Sequence, residues 1–160
     1  MKNREGNPIE IGQVNEIHFA DIFNLQEIQR MQDLFSDAIG VASILAHPNG
    51  TPITQPSNFC RLCDDVIRQT EKGRSNCFKS EPLTGSQRSL DLFVQPCMDC
   101  GLMVSGASII VGGKHLANWF IGQVRNEESD EHVPLIYADE LGVNREDFLD
   151  ALHEAPVMPL

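Results

Sequence analysis

The chain has 160 residues, enough for one domain with a real core, and a formal net charge of −11 from 23 acidic and 12 basic residues. That balance argues against nucleic-acid binding by the chain itself, because phosphate contacts need a basic patch. No apolar run reaches membrane-spanning length and MKNREGNPIEIGQ lacks a signal-peptide core, so the chain reads as cytoplasmic, with no direct nucleic-acid or membrane partner.

Residues 1–18 read as a flexible lead-in, with Gly6, Pro8 and Gly12, and residues 19–160 as a single domain. From Phe19 the pattern turns helical. Leu25, Ile28, Met31, Gln32 and Phe35 recur at three-and-four spacing, with Asn24 as N-cap and Gly40 as stop. The helix either docks on its own domain or serves as a dimerisation or signalling helix.

Val41 to Ala46 predicts a short strand, His47-Pro48-Asn49-Gly50 a turn, and Thr51 to Thr54 a partner strand. Phe59, Leu62, Cys63, Val66 and Ile67 predict one helix stopping near Gly73, with Asp64, Asp65, Arg68, Glu71 and Lys72 as its solvated face. Arg74 to Gly85 reads as a helical turn and loop, and Ser86 to Val94 as a strand.

The strongest local signal is a hairpin: arms Leu102 to Val111 and His115 to Val124 around Gly112-Gly113, since tight primed turns need positive φ. Tyr137 to Leu141 and Glu146 to His153 predict two short helices, with Asn144 a cap. The Pro156 to Leu160 end shows no closing element, and we expect the chain to be a piece of a longer protein. Short antiparallel strands interrupted by helices make an α+β domain with a single sheet.

The five cysteines follow Cys60-x2-Cys63-x13-Cys77-x19-Cys97-x2-Cys100. In a cytoplasmic chain this pattern points to metal or redox chemistry rather than structural disulfides. Zinc takes four tetrahedral ligands and favours thiolates. Four of the five cysteines complete such a site, Cys60 being the weakest candidate. An iron–sulfur cluster accepts the same donors. Redox-active thiols and plain buried cysteines with no cofactor stay open. Of the histidines, His115 at the start of a strand is the one to test. No nucleophile elbow, phosphate loop or paired carboxylates mark an enzyme.

Three stretches carry a family resemblance: LQEIQRMQDLFSDAIGVASI, NGTPITQPSNFCRLCDDVIRQTEKGRSNC and CGLMVSGASIIVGGKHLANWFIGQVR. From about Leu25 to Leu152 the chain resembles the PocR-type sensory domain. The resemblance implies a PAS-like fold, a small antiparallel sheet with flanking helices around a ligand cavity. It implies a ligand-sensing role in a transcription regulator or sensor histidine kinase. The ligand would be a small organic molecule such as an alcohol or diol, beside a thiolate cluster. It further implies a kinase or DNA-binding output domain in cis, and related signalling modules often form homodimers. A thiol-based redox or metal sensor is the alternative.

For the pocket, strand alternation places Trp119, Ile121 and Gln123 on one face. Trp119 and Gln123 are expected as an apolar wall and a hydrogen-bonding amide, completed by Phe59, Phe93, Met103 and Ser108.

Overall fold

Gly112 (φ 57°) and Gly113 (φ 80°) both adopt the left-handed conformation that a two-residue hairpin turn demands. They join the two longest strands of the computed structural model, which describes residues 17–77, 93–97, 100–126 and 130–158. The hairpin is β3 (Met103–Val111) and β4 (Lys114–Val124). β1 (Ala42–Ala46) adds to the free edge of β4, and β2 (Phe93–Pro96) to that of β3. The result is an open four-stranded sheet in the order β1-β4-β3-β2, antiparallel throughout. With helices flanking it, the fold is α+β and PAS-like.

Residues directly opposed across the ladder share a face. Leu45, Trp119 and Ala107 therefore lie on one face, and Ile44, Phe120 and Gly106 on the other. On the first face Leu45, Leu116 and Ala117 pack with Phe19 and Ile28. Phe19 belongs to α1 (Phe19–Ile22), and Ile28 to α2 (Leu25–Ile39). Asn24 caps α2 by accepting from the Gln26 and Glu27 amides at 3.0 and 3.4 Å, and Gly40 ends it at φ 77°.

A polar clasp fixes α2 against β1. The fully buried Gln32 donates through Nε2 to the Gln55 carbonyl at 2.8 Å and to Ser57 Oγ at 2.6 Å. Its Oε1 accepts from Thr54 Oγ1 at 2.6 Å, and that hydroxyl in turn accepts the Leu45 amide at 2.9 Å. A helix glutamine at an apolar-periodic position thus serves the loop backbone, alongside Gln29, whose Nε2 also donates to the Gln55 carbonyl at 3.2 Å.

The second face meets a helical layer. A π-helix spans Leu62–Ile67, α3 is described over residues 71–77, and α4 (His132–Leu141) and α5 (Arg145–Glu154) pack beside them. Leu62, Val66, Ile67, Leu102, Tyr137, Phe148 and Leu152 make its core. Asn144 caps α5 by accepting the Asp147 amide at 3.0 Å.

Four expectations change. Thr51 to Thr54 forms no strand: Pro52 makes a single bridge to Ala46, and a proline cannot extend the ladder. The helix expected to stop near Gly73 breaks earlier, at residues 68–70, and resumes through Gly73. A Cβ at Gly73 would lie 2.2 Å from the Ile67 carbonyl, so close approach rather than termination explains this glycine. α4 begins five residues before Tyr137, at His132. The C-terminal stretch does close on the sheet: the Arg125 amide donates to the Pro156 carbonyl at 2.8 Å and the Met158 amide to the Arg125 carbonyl at 3.0 Å. Of the strand expected over 86–94, Phe93 and Val94 open β2, and the rest, with nearly all of the N-terminal lead-in, lies outside the described residues.

Candidate functional site: a thiol-lined cavity

A bulge in the hairpin shapes this site. Met103 pairs with Val124 but Val104 with Gly122, so Gln123 is the extra residue on β4. Gly122 takes φ 144° and Gln123 φ 57°. Only glycine fits at 122, since a Cβ there would lie 2.5 Å from the Met103 carbonyl oxygen. The bulge turns Gln123 toward the helical layer, where its Oε1 accepts the Cys60 backbone N–H at 2.8 Å.

Between this part of the sheet and the helical layer lies a cavity. The space that the centre of a water molecule can occupy is about 90 Å³. Its apolar wall includes Ile44, Phe59, Leu102, Val104 and Phe120, and Arg68, Gln95 and Gln123 bring polar groups to it. An apolar chamber with a few orienting polar groups is the usual form of a small-molecule site.

Of the six residues expected around a ligand, Phe59 and Gln123 line the cavity. Trp119 does not: its indole N–H donates to Ser43 Oγ at 2.7 Å, and its ring meets Phe35 of α2 edge-on at 6.2 Å. Met103 stands beside the bulge, outside the wall. Ser108 donates to Asn118 Oδ1 at 3.2 Å, and His115 Nε2 contacts the same oxygen at 2.7 Å, so both are engaged away from the cavity. Phe93 pairs with Gly106 through its backbone, and its side chain lies outside the described residues.

Sequence reasoning missed Arg68, set among the solvated charges. Its guanidinium lies 4.7 Å over the Phe59 ring, a cation–π contact at the cavity wall. A nine-residue separation crossing a π-helix leaves no periodic signal for such a pair.

The five cysteines come together from three segments, and all are free thiols. Cys63, Cys77, Cys97 and Cys100 line the cavity. The Cys97 amide donates to the Leu102 carbonyl at 2.7 Å and the Gly101 amide to the Cys97 carbonyl at 3.0 Å, holding Cys97 beside Gly101 and Leu102. Thiol contacts run Cys97 to Cys100 to Cys63 to Cys60.

Their ionisation differs along that line. Donation from Cys63 holds the Cys60 thiol below its ordinary value, against the opposing effect of burial. Cys63 is helped toward ionisation by Cys100, but donation to Cys60, burial and the neighbouring Cys60 and Cys77 charges outweigh this and push it well up. Cys100 is pushed well up first by its contact with Cys63 and then by burial, against a contact from Cys97.

An all-sulfur donor set has the chemistry that zinc or an iron–sulfur cluster takes. Among the described residues, however, no three or more His, Cys, Asp or Glu side chains stand around one metal position.

The family model described as the sensory domain found in PocR matches residues 21–160. No curated protein and no solved structure matches the chain significantly. Among the described residues no helix is long and apolar enough to cross a membrane.

Proposed function

Because the chain belongs to the family of sensory domains found in PocR, we propose that it senses a small organic molecule, a short alcohol or diol, held in the thiol-lined cavity. The observation that carries this reading is the wall itself: Phe59, Phe120 and Val104 offer apolar contact while Gln123, Gln95 and Arg68 offer hydrogen bonds. A hydrocarbon backbone with one or two hydroxyls matches that mixture. Titration of the chain with 1,2-propanediol, followed by ligand-observed NMR, tests it. Saturable binding that Phe59→Ala weakens supports the proposal; no binding of any short alcohol or diol ends it.

The thiols have a structural part in this reading. Zinc, if bound, would supply cross-links between the π-helix, α3 and the segment that brings in Cys97 and Cys100, and an iron–sulfur cluster would draw on the same donors. The donor chemistry supports it, and the thiols must draw together around one point to form such a site. Elemental analysis of purified protein decides the point. About one zinc per chain, lost together with folding in Cys77→Ser, supports a structural site; absence of metal removes it.

The alternative is a thiol redox sensor, favoured by the Cys60–Cys63 and Cys97–Cys100 contacts. A peroxide would oxidise one such pair to a disulfide, accepting two electrons and two protons and leaving as water and an alcohol or a second water. Rapid loss of paired thiols under dilute peroxide, with propanediol binding absent, selects this alternative.

On either reading the domain is cytoplasmic and acts through an output domain in cis, a kinase or a DNA-binding unit. A homodimer would draw on the exposed Met31, Leu34 and Ile39 of α2.

A further inference from the structure

Asn58 (φ 52°) and Gln123 (φ 57°) are the two non-glycine residues with positive φ among the described residues. They stand on either side of one contact, the hydrogen bond from the Cys60 amide to Gln123 Oε1 at 2.8 Å. Each such conformation is unfavourable for an L residue and persists only where its surroundings enforce it. Two of them flanking one side chain-to-backbone bond mark a corner of the chain held in place at a cost, and that corner opens on the cavity.

The polarity of the Gln123 amide is forced. The Cys60 N–H can only donate, so the oxygen faces it and Nε2 is the other end. Nε2 has no hydrogen-bond partner among the described residues, while Gln123 itself lines the cavity. The amide thus has its acceptor committed to the chain and its donor left to whatever fills the space.

Cys60 is where the helical layer begins. Its carbonyl accepts from the Cys63 and Asp64 amides at 3.0 and 3.1 Å, opening the π-helix. The next residue, Arg61, pairs with Asp147 at 2.8 Å and Glu154 at 3.4 Å on α5. A change at Cys60 is therefore a change at the start of that layer.

We propose that Gln123 links the cavity to the thiol cluster: it donates through Nε2 to an acceptor oxygen on the bound molecule and, through Oε1, fixes Cys60. The inference rests on the reading of the cavity as an organic-ligand site, and it adds a chemical requirement. The ligand must carry a hydroxyl or carbonyl oxygen that accepts; an ammonium group or a bare hydrocarbon does not engage the device. Occupancy pins the amide, orders residues 58–60 and shields the half-buried Cys60 thiol. Gln123 is a positioning residue for Cys60 as well as a ligand contact.

Site-resolved alkylation of the full chain by N-ethylmaleimide, read by mass spectrometry with and without 1,2-propanediol, tests this. In the unaltered chain the diol slows Cys60 roughly five-fold, the size of one net hydrogen bond. Gln123→Ala lets Cys60 react roughly five-fold faster without diol, and the diol no longer changes the rate. Gln123→Glu keeps the acceptor for Cys60 but lacks the donor, so Cys60 stays slow and indifferent to the diol. Leu45→Ala, which destabilises the opposite face, keeps the diol effect and so separates coupling from general loosening.

If NMR shows the diol bound while Cys60 reacts at an unchanged rate, the coupling is overturned and the ligand reading stands. If the diol does not bind, the ligand class falls. The coupling is then decided by the variants alone: Cys60 faster in Gln123→Ala but not in Gln123→Glu upholds it, and equal rates overturn it.

Discussion

Trp119 and Gln123 lie on opposite faces of the sheet, although they stand four residues apart on one strand. Trp119 reaches Ser43 and Phe35 on the α2 side, and Gln123 reaches Cys60 on the cavity side. The two residues therefore separate stability from binding. Trp119→Ala removes a half-buried ring and is expected to cost about 3 kcal/mol in denaturant unfolding while leaving diol affinity within two-fold, roughly. Phe59→Ala is expected to do the reverse, lowering affinity about tenfold through lost apolar contact. Equal losses of affinity in both variants would show that the cavity is not the site.

Gly122 is the hinge of that separation. A methyl group there meets the Met103 carbonyl at 2.5 Å and Val104 Cα at 2.8 Å, and φ 144° is already unfavourable for an L residue. Gly122→Ala is expected to destabilise by about 3 kcal/mol and to free the Cys60 thiol, because the bulge cannot close. Thermal unfolding and the Cys60 alkylation rate check both halves; a melting temperature equal to that of the parent removes the bulge argument.

The Gln32 clasp makes a prediction on the other face. Gln32→Leu keeps the side chain's approximate size but leaves the Gln55 carbonyl and the Thr54 and Ser57 hydroxyls without their buried partner. A loss of about 3 kcal/mol is expected, larger than for an ordinary helix-surface substitution. Urea unfolding of the two proteins gives the comparison, and a change below about 0.5 kcal/mol would mean that water replaces the clasp.

Asp33 supplies a pH test. The hydroxyl of Ser57, and then the amide of Gln29, hold its carboxyl below the ordinary value of 3.8. A lowered folded-state pKa adds stability that is fully present above the unfolded value and is lost as pH falls through the folded one. The stability difference between the parent and Asp33→Asn is therefore expected to be constant near about pH 6 and to shrink toward about pH 3. The side chain is exposed, so the effect is small and weakens in salt. A difference that does not change with pH would assign it to packing instead.

The sequence by itself determined the elements whose causes are local. Asn24, Gly40 and Asn144 cap where side-chain oxygen or glycine freedom dictates, and Gly112-Gly113 turns the hairpin, because a cap or a tight turn involves only neighbours in the chain. The match over residues 21–160 likewise marks a sensory domain from sequence information.

What only the tertiary structure decided depends on close approach between distant segments. Strand alternation alone puts Trp119 and Gln123 together; a single extra residue opposite Met103 and Val104 parts them, since the side-chain period is two and one inserted residue exchanges the faces. The π-helix break, the stacking of Arg68 on Phe59 and the convergence of four thiols on one cavity have the same origin. Each is set by how the helical layer fits against the sheet, an energy shared among many contacts and written in no single stretch of chain.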